Sequence, residues 1–235
     1  MGHGFKVDSS FWELFGDTEI AVLTAYDINN QDDSKVPADL LNKANEKALQ
    51  WVSQDPISDN PVIQDWRQAF RKFKTKKGAR CAVENLLKRA KQGKGVGKIN
   101  PVVDIYNSVS LEWAFPIGGE DLDQIKGKVE LTVSNGGEKF FPIGEDEYED
   151  TLPGEVIYRD DQAVLSRCMA WRDSARVEVT AATKNLIFYM ENINPERHAD
   201  HQQAIQLLQK RLHDYLDIDT NLYILTKEHS TVDFQ

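Results

Sequence analysis

The run NPVVDIYNSVSLEWAFPIGGEDLDQIKGKVEL, residues 100–131, holds two hydrophobic periods in succession. Asn100 can cap a helix, and Pro101 suits a first turn, where its missing N–H has no partner to lose. Val102, Ile105, Tyr106, Val109 and Trp113 then recur at helical spacing along one face. Pro116 stops that pattern, and PIGGED (116–121) is expected to be a loop. Beyond it the period becomes two, with Val129, Leu131 and Val133 alternating. Asn135-Gly136-Gly137 supplies a hairpin turn that should return KFFPI (139–143) against that strand. A helix running into antiparallel strands is an α+β signature.

The flanks extend this pattern. EIAVLTAY (19–26) predicts a buried strand, and NNQDDSK (29–35) a polar loop. Pro37 opens a helix continued by Leu40, Leu41, Ala44, Ala48 and Val52, and DPISDNP (55–61) is a connection. Trp66, Ala69, Phe70 and Phe73 form one helical stripe, and Val83, Leu86, Leu87 and Ala90 form another. Those aromatic residues are better read as core than as stacking platforms. Further strands are expected at 155–159, 163–168, 176–180 and 185–191. Ile205, Leu208, Leu212 and Tyr215 mark a C-terminal amphipathic helix, followed by NLYIL (221–225). The chain therefore reads as one domain over 1–235. A helical elaboration occupies about 1–98, a core 99–195, and a helix and tail 196–235.

At 235 residues and 40% hydrophobic, the chain can bury a substantial core. Its apolar runs are too short to span a bilayer, so a cytoplasmic protein without membrane attachment is expected. Two cysteines cannot build a disulfide framework. The formal charge is −10, which excludes a generally basic coat protein. The distribution is uneven. Residues 67–98 carry twelve Lys or Arg and one acid, Glu84, a segment of +11 that leaves −21 elsewhere. KTKKGAR (74–80) and GKGVGK (93–98) are the basic joints of two core-packed helices. Such a strip is either a solvated helix face or a phosphate-facing surface on an acidic body. In the second case Arg71, Lys72, Lys74, Lys76, Lys77, Arg80, Lys88, Arg89, Lys91, Lys94 and Lys98 are the candidate phosphate-binding residues.

No P-loop, dinucleotide-binding glycine motif, zinc-protease motif or nucleophile elbow is present, so no cofactor or metal is expected. His198 and His201 lack a third ligand of suitable spacing, and His213 is surface or packing. Cys168, among strand residues, reads as a buried, unreactive thiol.

Residues 100–131 resemble the B3/4 domain of the phenylalanyl-tRNA synthetase beta subunit. There a helix with Asp-x-x-Asn precedes a proline loop, an aspartate and a strand; here these are Asp104, Asn107, Pro116 and Asp121. PGEVIYRDDQAVLSRCMAWRDS (153–174) is similar to that domain's strand pair and turn. VEVTAATKNLIFYMEN (177–192) is similar to its closing strand. The stretch WRQAFRKF and AVENLLKRAKQGK resembles the N-terminal extension of free-standing B3/4 proteins. The resemblance implies a mostly antiparallel sheet with an N-terminal helical extension and a C-terminal helix. It also implies binding of tRNA or aminoacyl-tRNA, and post-transfer editing: hydrolysis of an amino acid wrongly esterified to tRNA.

On that resemblance Asn107 and Thr183 are the candidate catalytic residues, and Asp104 a brace for its helix. Gly118, Gly119, Trp171 and Arg172 are the candidate substrate-binding residues. Two departures stand out. Gly118 replaces a histidine usual in the synthetase loop. Ala170-Trp171-Arg172 replaces a Gly-Gly-Glu turn whose glutamate helps recognise a phenol. Arg172 then either meets a carboxylate or phosphate, or pairs internally with Asp173 or Glu155. Two functions are open: a tRNA-binding protein acting as a deacylase in trans, or a binder or hydrolase of small amino-acid-like molecules that has given up RNA.

Overall fold

The computed structural model describes residues 2–234. In chain order, β1 (Gly4–Val7), α1 (Ser9–Leu14) and β2 (Glu19–Ala25) precede the helices α2 (Leu40–Ala48), α3 (Pro61–Ala69), α4 (Ala82–Lys91) and α5 (Pro101–Trp113). Then come β3 (Ile117–Asp121), β4 (Lys128–Val133), β5 (Lys139–Phe140), β6 (Glu149–Asp150), β7 (Val156–Arg159) and β8 (Val164–Arg167). The chain closes through β9 (Arg172–Asp173), β10 (Leu186–Asn192), α6 (His198–Leu216), β11 (Asn221–Leu225) and β12 (Thr231–Asp233).

Two sheets face one another. One has the order β12-β1-β4-β7-β8-β9, with β1 and β4 as its parallel pair; the other, β11-β2-β10-β3, is antiparallel throughout. Strand alternation divides the core. From β2 and β10, Ile20, Val22, Ile187 and Tyr189 point between the sheets towards Phe5, Leu131 and Tyr158. Their neighbours Ala21, Leu23, Phe188 and Met190 point outward, onto Val102, Ile105 and Val109 of α5 and Ile205, Leu208 and Leu212 of α6. This α+β architecture, with mostly antiparallel strands and a C-terminal helix, agrees with the sequence reading.

Helix α5 forms as its caps predict. The Asn100 side chain accepts from Val103 N at 3.0 Å and Pro101 fills the first turn. Ala114, in the left-handed region at φ 53°, ends the helix. Arg197 seals that end by donating to the Trp113 and Ala114 carbonyls, its guanidinium 4.1 Å from the Phe115 ring centre.

Four expectations need correction. Residues 116–121 are largely strand: β3 pairs with β10, because Gly118 and Gly119 lie where neighbouring rings leave no room for a side chain. The glycine turn at 136–137 forms, but 139–140 pair with 149–150 while β4 takes β7 as its partner. Residues 175–177 make a single 3-10 turn rather than a strand. The stretch 1–98 is more than a helical elaboration, since β1 and β2 sit inside the two sheets.

Candidate functional site

The inward face of β10 presents Tyr189 and Glu191, and the neighbouring strand β3 presents Gly118 and Glu120 on the same face. A Cβ on Gly118 would stand 2.6 Å from the Tyr189 ring, so glycine lets that ring lie across β3. Tyr189 stacks on Tyr158 of β7, with ring centres 4.6 Å apart and planes at 11°. Beside this stack is a narrow cavity between the sheets. It is walled by Gly118, Tyr158, Ser166, Asp173, Tyr189 and Glu191, with Ala82, Pro116 and Trp171 also lining it. Its free volume for water-sized groups is about 30 Å³, enough for one or two waters and far short of a nucleoside.

The turn between β8 and β9 shapes one wall. Cys168 and Met169 both adopt left-handed backbone, at φ 47° and 59°, a strained arrangement for side chains of their size. A fully buried pair holds it: Arg167 donates twice to Glu155, at 2.8 Å each, and Glu155 also accepts from Cys168 N at 3.1 Å. Burial opposes ionisation of Glu155, yet the Arg167 guanidinium keeps its carboxyl below the usual range. Burial and the Glu155 charge push the Cys168 thiol up to about 12, so it is unreactive, as expected.

The cavity is acidic. The Tyr158 hydroxyl donates to one carboxylate oxygen of Glu191, and the other oxygen has no partner. The Tyr189 hydroxyl and both oxygens of the neighbouring Glu120 are likewise unpartnered, in residues 2% or less exposed. Burial raises Glu191 to about 7 and Asp173 to about 6, and burial with the Asp173 charge lifts Glu120 well above the usual carboxylate range. Groups of this kind gather at functional sites.

The expected site residues are only partly brought together. Gly118 and Trp171 line the cavity. Gly119 faces the opposite side of the sheet, where a Cβ would come 2.9 Å from the Tyr106 ring. Asn107 lies on α5 on that same helical side, and is not part of the cavity wall. Thr183 donates to the Asp121 carboxylate at 2.8 Å and accepts from Thr180 N, which makes it a loop clamp. Asp104 accepts from Ile99 N at 2.8 Å and braces its helix as expected. Arg172 points away from the cavity, to Glu145 at 2.9 Å and the Ile143 carbonyl, rather than to Asp173 or Glu155. The carboxylate anchor expected of it is therefore spent on a surface pair. The residues missed, Tyr158, Asp173, Tyr189 and Glu191, had one visible signal: an acid ending an otherwise apolar strand, LIFYMEN.

The basic segment has a definite place. At the start of α4, Ala82 N donates to the carbonyl of Ala170 in the cavity wall at 2.7 Å, and Lys74 N of the basic loop donates to the Gly154 carbonyl at 2.9 Å. Lys76 lies 5.9 Å from the centre of the Trp171 ring and pairs with Glu149. Arg80, Lys91 and Lys98 also meet carboxylates, those of Glu84, Asp55 and Asp33. Arg71, Lys72, Lys74, Lys77, Lys88, Arg89 and Lys94 are exposed and outside every ion pair among the described residues. Beside the loop, Trp66, Arg67, Phe70, Arg71, Arg80 and Glu84 line an open cleft of about 220 Å³, three guanidiniums around one carboxylate. The largest groove, on the outer face of the six-stranded sheet, has its main charges paired, Lys6 and Arg159 with Glu130. His198 and His201 both bond Glu19. No helix is long and apolar enough to cross a membrane among the described residues.

Comparison with known proteins places this geometry. The model of the B3/4 domain family matches residues 65–216. The chain is 31% identical over 98 residues to the phenylalanine–tRNA ligase beta subunit of Mycoplasma genitalium, covering 42% of this chain and 12% of the relative. With the Thermotoga maritima subunit it shares 37% over 73 residues, 31% of this chain and 9% of the relative. With that of Shewanella oneidensis it shares 25% over 134 residues, 53% and 16%. The chain thus matches no more than about a sixth of these relatives' length. In fold it is similar to an N-terminal fragment of the phenylalanyl-tRNA synthetase beta subunit from Pyrococcus horikoshii. The TM-score is 0.53 at 13% identity, over 94% of this chain and 50% of that one.

Proposed function

The chain belongs to the B3/4 domain family, and on that premise we propose that it binds tRNA in the cytoplasm, with the acylated end directed to the cavity between the sheets. One observation carries the reading: the cationic loop 71–80 of an otherwise acidic molecule lies beside that cavity, with Lys76 5.9 Å from the ring centre of Trp171 in its wall. Among the described residues Arg71, Lys74 and Lys77 meet no carboxylate that would compete with phosphate, and Arg71 opens onto the cleft in which Arg67 and Arg80 are held by Glu84, free to contact phosphate itself. The remaining negative charge repels nucleic acid elsewhere and favours one orientation. The relatives, named as tRNA ligase subunits, supply the choice of RNA.

We extend the proposal to hydrolysis of the aminoacyl ester in trans. That chemistry needs a held water and a place for the acyl group, and the cavity has room for water beside Glu191. Opening towards a larger acyl group requires the Trp171 ring to move from the wall.

Binding of total tRNA across a salt series tests the main reading. Affinity should fall steeply with salt, and charge reversal of Arg71, Lys74 and Lys77 to Glu should weaken it more than tenfold and flatten the salt slope. Affinity indifferent to salt, or to that triple variant, overturns it. Incubation with mischarged aminoacyl-tRNAs tests the extension: ester loss should accelerate, and an unchanged rate refutes hydrolysis while leaving binding intact.

A further inference from the structure

The wall of the inter-sheet cavity is built for a cation, whereas the sequence led us to expect an anchor for an anion. Of the guanidiniums near it, Arg167 is held by Glu155 and Glu149 and Arg172 by Glu145. Arg176, which is not part of the wall, stands 2.9 Å from Asp160 with its Nε buried and without a partner among the described residues. What remains facing inward is acceptor-rich and unsatisfied. Glu191, 1% exposed, has one oxygen on the Tyr158 hydroxyl and the other without a partner. The Tyr189 hydroxyl, with Glu120 nearby, has no partner within hydrogen-bond distance among the described residues, and Asp173 adds a second carboxyl to the wall. Two stacked phenol rings border the same space, and aromatic faces attract cations.

A metal ion does not fit this pattern, because no group of His, Cys, Asp or Glu among the described residues converges tightly enough to hold one. A bulky amine does not fit either, since the free space is about 30 Å³, the room of one or two waters. An ammonium headgroup is of that size and donates three hydrogen bonds where acceptors stand.

We propose that the inter-sheet cavity recognises a small primary ammonium group, held between the carboxylates of Glu191 and Asp173 with the Tyr158 and Tyr189 hydroxyl oxygens as further acceptors. This deepens the function proposed above and rests on it for the natural ligand: every aminoacyl ester with a free amino group carries an α-ammonium. Binding of the amine itself needs no RNA. The site then reads the free amino terminus of the acyl group, and an N-blocked aminoacyl end is excluded because it brings no charge to compensate the buried acids. Size and charge together set the preference.

The test uses the full chain at neutral pH and constant ionic strength, with amide and indole NMR shifts and melting temperature as readouts. Methylammonium and glycine methyl ester should each produce saturable shifts at Gly118 and at the Trp171 indole, and raise the melting temperature. N-acetylglycine methyl ester, which lacks the charge, and tetramethylammonium, which lacks N–H donors and is too large, should do neither. Glu191→Gln keeps an acceptor for Tyr158, so the fold survives, but amine affinity should drop at least tenfold. Asp173→Asn should lose affinity as well, which guards against a special effect at one position.

Equal responses to the acetylated and free esters, or undiminished affinity in folded Glu191→Gln, overturn the proposal. So does the absence of any saturable response, which leaves the cluster a set of buried, protonated acids. Amine binding by a chain that ignores tRNA sustains this site and refutes the RNA reading. Salt-sensitive tRNA binding without any amine response does the reverse.

Discussion

The two faces of the β3–β10 pair are a few ångströms apart and opposite in character. On the helix side, Phe188 and Met190 are fully buried against α5 and α6, and Gly119 makes way for the Tyr106 ring. That side is finished packing. On the inter-sheet side, the same two strands present Tyr189, Glu191 and Glu120, with hydroxyl and carboxylate oxygens that no protein group satisfies. The resemblance draws attention to α5, whereas the buried polar oxygens without partners lie on the other face. A buried polar group without a partner is costly, so it marks a site better than proximity to a recognised motif.

The comparison can be broken by substitutions on either face. Phe188→Ala should produce the largest loss, about 3–5 kcal/mol by chemical denaturation, because the helix side is close-packed. Glu191→Gln should have the opposite sign. Burial lets Glu191 hold its proton in the fold up to about 7, against 4.5 for an exposed glutamate. The fold therefore binds more protons than the unfolded chain between those values, and that contribution to stability, complete below 4.5, is lost as pH rises through about 7. Glutamine removes the penalty. The variant should gain up to about 3 kcal/mol over wild type at pH 8 and little at pH 5, read from melting curves at both. A variant less stable at pH 8 would show Glu191 ionised and well paired in the fold.

Gly118→Ala should cost about 1–3 kcal/mol, because its new methyl group meets the Tyr189 ring. It should also disturb the tyrosine signal in near-ultraviolet circular dichroism, whereas Gly119→Ala, destabilising through Tyr106, should leave the Tyr158–Tyr189 stack unchanged. The smallest effect belongs to Asn107→Ala. Its helix lies on the packed face, away from the cavity, so the response to glycine methyl ester should match wild type. Loss of that response would return the site to α5.

Local signals were legible where local physics decides. Asn100 and Pro101 begin α5 as their chemistry requires, and the alternation at Val129, Leu131 and Val133 is indeed a strand. The apolar runs at 19–25 and 186–192 became the adjacent central strands of the antiparallel sheet. What failed was non-local. Gly118 and Gly119 read as a loop because glycine weakens strand propensity; rings from β10 and α5 are what demand them. The turn at Gly136 was visible, but which strand pairs with β4 depends on β7, some twenty residues on. Gly118 and Trp171 both line the cavity, and the loop of the basic strip lies beside them. For Arg172 an internal ion pair was one of the two readings, but its partner is Glu145, 27 residues away, which spacing does not reveal. Glu191 and Glu120 escaped notice because a charged residue in a strand becomes informative only once its burial is known.

The central claim is that RNA enters by the cationic loop with its acylated end at the cavity. It is tested most directly by oxidising the 3′-terminal ribose of tRNA to a dialdehyde, trapping it on the protein by borohydride reduction and mapping the modified lysine. Modification should concentrate on Lys74, Lys76 or Lys77, beside Trp171 and the docked 154 and 170 carbonyls. Label confined to Lys88 in the last turn of α4 or to Lys94 just beyond it, or spread without preference over the surface, would contradict it.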